Sequence, residues 1–276
     1  MKRLHHIDEV HIEPEFRASE MSSFCPRRFI ILRHFQSSGV RLYRPGNEVL
    51  QAAFDQGRAI HDLVQQTYFK DIEGIYGDWI CSKCGTLVTS KMDWWHRVCP
   101  ICTANSYRYC EKGFSNKTLR LGGHVDGLLS MPNTSAMVGI EIKSISRNRV
   151  QKELPGDMPC PEHIIQCAAY SLLTGINDWR VLYFVKEWND PPLIERMITI
   201  TPLLHKLIVN RITTVLDYLN NPEPTLPVKH NICSPTKGRF ASGCPVAQWC
   251  LEGEKKNCTF ISGLPAKDKF PEKVRL

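Results

Sequence analysis

No apolar run in this 276-residue sequence approaches the roughly 18 residues needed to cross a bilayer. The opening residues, MKRLHHIDEV, contain no apolar stretch, so no secretory leader is expected. The expected compartment is a cytosol, with no membrane partner. Repeats at solenoid period and low-complexity tracts are both missing, which excludes repeat arrays and prion-like segments. The phosphate-loop pattern G-x-x-x-x-G-K-S/T is absent, so nothing points to a nucleotide-driven motor within the chain. Acidic residues are the minority: 28 Asp and Glu stand against 35 Lys and Arg, for a net charge of +7. That excess suits a polyanionic partner without requiring one.

What remains is ordinary globular material, 42% hydrophobic and 23% charged, enough for one large domain or two small ones. Cysteine is the exception, at 12 residues. In a reducing compartment, cysteines at ligand spacing hold metal more often than they form disulfides.

Local patterns order the chain. Pro26 opens a helix running to about residue 35. Residues 44–70 read as a long helix with Leu50, Phe54, Gly57, Ile60, His61, Val64 and Tyr68 on one side. Residues 76–112 lose that periodicity, hold five cysteines and read as an insertion with its own fold. Residues 121–131 and 136–145 read as two strands joined by a turn. A helix over 161–175, strands over 179–186 and 194–200, and a helix over 201–220 that Thr201 can cap complete the core.

The second strand carries Glu141-Ile142-Lys143 inside an apolar run, VGIEIKSI. Side chains alternate along a strand, so Glu141 and Lys143 share a face, and Asp126 can reach it across the hairpin. Two carboxylates held together repel unless a cation lies between them. A hard divalent ion such as Mg²⁺ or Mn²⁺ meets that need and activates water. An ordinary surface salt bridge is the plain alternative, but charge inside a buried-strand sequence needs a partner.

Cys81-x-x-Cys84 and Cys99-x-x-Cys102, separated by 14 residues, are two knuckles able to share one tetrahedral Zn²⁺. Trp94, Trp95, His96 and Arg97 lie between them, suited either to stacking on unpaired bases or to packing. Cys110, Cys160 and Cys167 have no partner at ligand spacing and read as structural.

GRAIH (57–61), GGHVDG (122–127), GIEIK (139–143) and QCAAY (166–170) occur in order. Together they resemble the PD-(D/E)xK nuclease superfamily in its RecB-like branch, which includes CRISPR-associated exonucleases and the AddB nuclease domain. A phage member of that branch is one form the resemblance allows, and its compartment would be the host's cytosol. The resemblance implies an α/β fold, a mixed sheet flanked by helices, forming a restriction-endonuclease-like core with a zinc-ribbon insertion. The parts would be 1–75 (N-terminal helical part), 76–112 (zinc ribbon), 113–220 (nuclease core) and 221–276 (a tail closing on the first helix). It implies that His61, Asp126, Glu141 and the Ile142 carbonyl hold Mg²⁺ or Mn²⁺, with Lys143 catalytic. His124 competes with His61 for the ligand role. Gln166 and Tyr170, at i and i+4 on one helix face, would bind the strand. Arg27, Arg28 and Arg33 could contact phosphate.

Iron–sulfur members of this branch resemble the chain in a further set. Cys25 lies in SSFCPRRF, and Cys244 and Cys250 lie in CPVAQWC. Position 241, where such members carry a cysteine, is Ala. Cys233 is the choice for the remaining ligand of a [4Fe–4S] cluster, with Cys258 as the alternative and a second zinc as the rival metal. The implied activity is metal-dependent DNA exonuclease action for end processing in recombination, repair, phage replication or CRISPR adaptation. Its partner would be DNA with a free end, alongside a recombination or replication protein. A DNA-end-binding module or a zinc-ribbon adaptor without nuclease activity is the other reading.

Overall fold

A computed structural model describes residues 15–37, 41–43, 48–69, 72–91, 98–132, 134–154, 156–186, 193–221, 226–227, 233, 244–247, 250 and 273–275. Trp94, Trp95, His96, Arg97 and Cys258 lie outside the described residues.

The chain opens with β1 (Phe16–Arg17), a 3-10 turn (Ala18–Ser23), α1 (Pro26–Ser37), β2 (Arg41–Tyr43) and α2 (Glu48–Leu63). A π-helical turn, Val64–Tyr68, extends α2. Next come β3 (Ile75–Cys81), β4 (Leu87–Lys91), β5 (Tyr107–Cys110), β6 (Lys112–Asn116), β7 (Leu121–Val125), β8 (Gly127–Ser130) and β9 (Met137–Ile145). The remainder is α3 (Arg147–Glu153), α4 (Pro161–Thr174), β10 (Asp178–Val185), β11 (Leu193–Thr199), α5 (Pro202–Asn220) and β12 (Lys273–Arg275).

The main sheet runs β11-β10-β9-β8-β3-β4, with β5 also on β3. Only the β9–β10 pair is parallel within it; α3 and α4 lie on the connection between those strands. β3 belongs to residues 76–112, yet it pairs with β8 through Ile75↔Leu129 and Tyr76↔Leu128. The cysteine-rich segment therefore grows out of the main sheet. A smaller sheet orders β1-β7-β6, and β12 pairs with β2.

Alternation sorts side chains of the central strands between two apolar layers. Val181, Tyr183, Val185 and Ile145 join the layer of α4, α5 and the 3-10 turn. Ile140 and Ile142 join Ile60, Val64, Trp79 and Tyr109 on the other side. Glu141 and Lys143 thus stand on the α4 side, between Ile140, Ile142 and Ile145 of one strand. Burying the Trp179 indole removes about 150–250 Å² of surface, roughly 4–6 kcal/mol gross. Its single hydrogen bond, Nε1–H to the Ile176 carbonyl (2.9 Å), adds only about 1 kcal/mol.

The helices over 161–175 and 201–220 and both strands between them match expectation. Gly175 ends α4 at φ 75°, as a left-handed C-cap requires. Thr201 does sit at the N-cap of α5, but its side chain makes no capping hydrogen bond. Three other expectations change. Residues 121–131 do not form one strand: the chain breaks at Asp126, β7 joining the small sheet and β8 the large one. Phe54 (57% exposed) and Tyr68 (50%) lie outside the core, whereas Ile60 and Val64 of the same stripe are buried in it. Arg27 and Arg33 are already engaged: Arg27 is buried against the carbonyls of Cys250 (3.1 Å) and Pro227 (3.4 Å), and Arg33 pairs with Glu15 (2.9 Å). No helix among the described residues is long and apolar enough to cross a membrane.

Candidate active site and metal centres

Asp126 occupies the break between β7 and β8, where the chain changes sheets. One oxygen, Oδ2, accepts the Ile142 backbone N–H at 2.6 Å, which ties the break to the middle of β9. The other, Oδ1, lies 3.3 Å from His61 Nδ1 on α2. Glu111, between β5 and β6, brings Oε1 to 3.9 Å from the same nitrogen. His61, Glu111 and Asp126 offer ligand atoms all within 4.8 Å of one another. Ligands at the 2.0–2.1 Å of octahedral Mg²⁺ stand about 3 Å apart in cis and about 4.2 Å in trans. The separations from His61 Nδ1, 3.3 and 3.9 Å, fall in that range, and the carboxylate donors suit such an ion.

Glu141 stands beside this triad and ion-pairs with Lys143. It is 1% exposed, and among the described residues neither of its oxygens meets a hydrogen-bond donor of good geometry. Burial, then the Asp126 charge, pushes its carboxyl up to about 7. A buried carboxylate left this short of donors fits a place beside a cation. Lys143 stays charged, for although burial works against it, Glu141 and Asp126 outweigh that and raise it.

Gln166 and Tyr170 lie one turn apart on α4, both buried, with the Gln166 amide donating to the phenol oxygen at 3.2 Å. Burial, then Glu141 and Asp126, drives Tyr170 well up, so it remains a neutral phenol. His124 is exposed on β7, opposite Gly113, whereas His61 is the histidine beside Asp126.

Two residues here carried no sequence signal that was read. Glu111 follows the cysteine-rich stretch, where no strand was expected. Gln65 is one helical turn from His61, a spacing that could have marked it. Its amide donates to Glu111 Oε1 and to the Asp126 carbonyl, both at 3.1 Å.

The four ribbon cysteines converge from two matching turns. Cys81 and Cys99 each donate their N–H to the carbonyl five residues on, Thr86 (2.9 Å) and Ala104 (2.7 Å). Each also accepts from the residue four on, Gly85 and Thr103, both at 2.9 Å. Those residues are left-handed, at φ 73° and 57°. Sγ separations are 3.6 Å for Cys81–Cys102 and 3.5 Å for Cys84–Cys99. Thiolates at 2.3 Å from a tetrahedral zinc stand about 3.8 Å apart, so the set fits that metal.

Of the second set, Cys25, Cys233, Cys244 and Cys250 lie among the described residues. Cys25 precedes α1, its sulfur accepting the Arg28 N–H at 3.5 Å. Cys244, Val246 and Cys250 pack against Ile31 and Phe35 of α1. Cys233 is half-buried. The structure thus brings the tail onto the helix that Cys25 begins.

No family model and no curated protein matches the chain. Among solved structures it is similar to SSO0001, at 17% identity and TM-score 0.42, covering 95% of this chain and 91% of that one. It is also similar to the alkaline exonuclease LHK-Exo from Laribacter hongkongensis, at 15% identity and TM-score 0.48, over 75% and 89% of the two chains. The same enzyme in complex with dAMP gives 16% and 0.48 over the same shares. Likeness at this level carries no argument about chemistry, and the site stands on its own geometry.

Proposed function

We propose that this chain is a divalent-metal-dependent DNA nuclease of the PD-(D/E)xK kind, an exonuclease acting on DNA with a free end. The observation that carries this reading is the meeting of Asp126, Glu141 and Lys143 with His61 across three separate elements. His61, Glu111, Asp126, Glu141 and the Ile142 carbonyl would hold Mg²⁺ or Mn²⁺. That ion, when bound, supplies positive charge for a scissile phosphate and lowers the pKa of water. Lys143, kept charged by its carboxylate neighbours, orients the attacking water and neutralises charge growing on phosphate oxygens. Gln166 and Tyr170, neutral donors on the adjacent helix, position the strand through phosphate or sugar oxygens.

Cys81, Cys84, Cys99 and Cys102 would hold structural zinc. Cys25, Cys244 and Cys250, with Cys233 or Cys258, would hold a [4Fe–4S] cluster that fastens the tail to α1. Residues 113–220 are the nuclease core in this scheme, and 76–112 the ribbon.

The test is cleavage of end-labelled linear single-stranded and duplex DNA, and of closed circles, with Mg²⁺ or Mn²⁺. Linear DNA should be degraded and circles spared. Asp126→Ala and Lys143→Ala should each lower the rate by about 10²–10³-fold. Cut circles would make the enzyme an endonuclease. A metal-replete wild type that binds ends without cutting would replace this reading with a DNA-end-binding module.

A further inference from the structure

One strand joins the ribbon to the nuclease site. β5 begins at Tyr107, paired with the zinc-site residue Cys81, and ends at Cys110, immediately before Glu111. Four strand residues span only about 13 Å, so the two metal centres sit at opposite ends of one short rod. Glu111 itself belongs to no strand, and its position depends on what holds β5 before it and on Lys112 of β6, paired with Val125, after it.

β3 holds one side of that strand, from Asp78↔Cys110 to Cys81↔Tyr107. The π turn after α2 engages the other. Gln66 donates its amide to the Tyr109 carbonyl (2.9 Å) and accepts the Tyr109 N–H (3.1 Å). One side chain thereby satisfies both backbone groups of a residue, as a neighbouring strand would. Gln65, 4% exposed, uses both amide hydrogens, one on Glu111 and one on the Asp126 carbonyl. Such π turns are rare and occur often at functional sites. Here the turn presents two consecutive glutamines, four and five residues after His61, to the strand and the carboxylate.

We propose that Gln65 and Gln66 are positioning residues that fix Glu111 at the nuclease metal centre, so that the affinity of that centre depends on a closed zinc ribbon. This rests on the metal-nuclease reading above. When zinc is lost, four crowded thiols lose their common partner, and the Tyr107 end of β5 is left to its pairing with β3 and its packing. The slack reaches Glu111 through four residues.

The experiment measures Mn²⁺ binding to the zinc-replete full-length protein by electron paramagnetic resonance, with DNA cleavage and thermal unfolding in parallel. Gln65→Met, Gln66→Met and Cys84→Ser should each weaken Mn²⁺ binding about 10–100-fold, the range for groups that orient metal ligands. Combined with Glu111→Gln, neither Gln66→Met nor Cys84→Ser should weaken it further than Glu111→Gln alone. A purely structural role predicts the contrary: lowered unfolding midpoints with unchanged Mn²⁺ affinity in the folded protein, or losses from those two that add to that of Glu111→Gln. Either result overturns the proposal. A wild type that binds Mn²⁺ and cuts no DNA sinks the nuclease reading while leaving this coupling intact. A wild type that binds no Mn²⁺ removes both.

Discussion

At the scale of single residues, the protonation of the site decides when it can take up an ion. Burial works to discharge His61, but the carboxylates of Asp126 and Glu111 outweigh it and hold the imidazole up at about 10. In the metal-free protein at neutral pH, a proton on His61 therefore sits where a cation is wanted. Glu141 titrates at about 7 for the reasons given above. A metal ion must displace these protons to gain its ligands. Between about pH 7 and pH 10 one proton leaves, so affinity should rise roughly tenfold per pH unit. Below about pH 7 the second group joins and the dependence steepens. Calorimetric titration with Mn²⁺ in two buffers of different ionisation enthalpy counts the released protons directly. His61→Gln should remove one proton from that count at every pH below about 10. An unchanged count would take His61 out of the ligand set.

At the scale of elements, β9 has to carry charge through an apolar sheet, and its neighbours show how tightly it is held. A Cβ on Gly139 would run into the Trp179 indole on β10, two strand positions before Glu141. Gly139→Ala should therefore destabilise the protein by about 1–3 kcal/mol, as overpacking does, and urea unfolding measures it. A neutral result would mean that β9 and β10 separate freely and do not clamp the site. Elements of this kind were legible in the sequence because their signals are local. The α4 and α5 stripes recur at helical spacing, and the β10 and β11 runs are bounded by turn residues. Glu141 and Lys143 were legible because charge within VGIEIKSI contradicts its surroundings. The break at Asp126 was not, since both halves alternate in one continuous pattern and only the sheet topology divides them. Glu111 and Gln65 escaped for a related reason. Gln65 meets its partners across 46 and 61 residues of chain, a proximity that topology creates and no local pattern encodes.

At the scale of the whole molecule, a buried cation and the β2–β12 pairing both join early segments of the chain to late ones. Arg27, on the first turn of α1, donates to carbonyls of Pro227 and Cys250, about two hundred residues away in sequence. Around it lies a small apolar cluster of Ile31, Phe35, Val246 and Cys250. The carbonyls gain strong charge-assisted partners there, and the tail gains an anchor independent of any metal on its cysteines. Arg27→Leu keeps the apolar volume but leaves buried acceptors unmet, a loss of about 2–3 kcal/mol. Limited proteolysis should then cut the tail faster than in wild type. Mn²⁺ binding at the nuclease centre should be unchanged, because the carbonyls that Arg27 meets, of Pro227 and Cys250, belong to the tail and not to that centre. A tail cut no faster would show that Ile31 and Phe35 hold it unaided. Loss of Mn²⁺ binding together with faster cutting would show instead that closing the two ends is a condition for assembling the site.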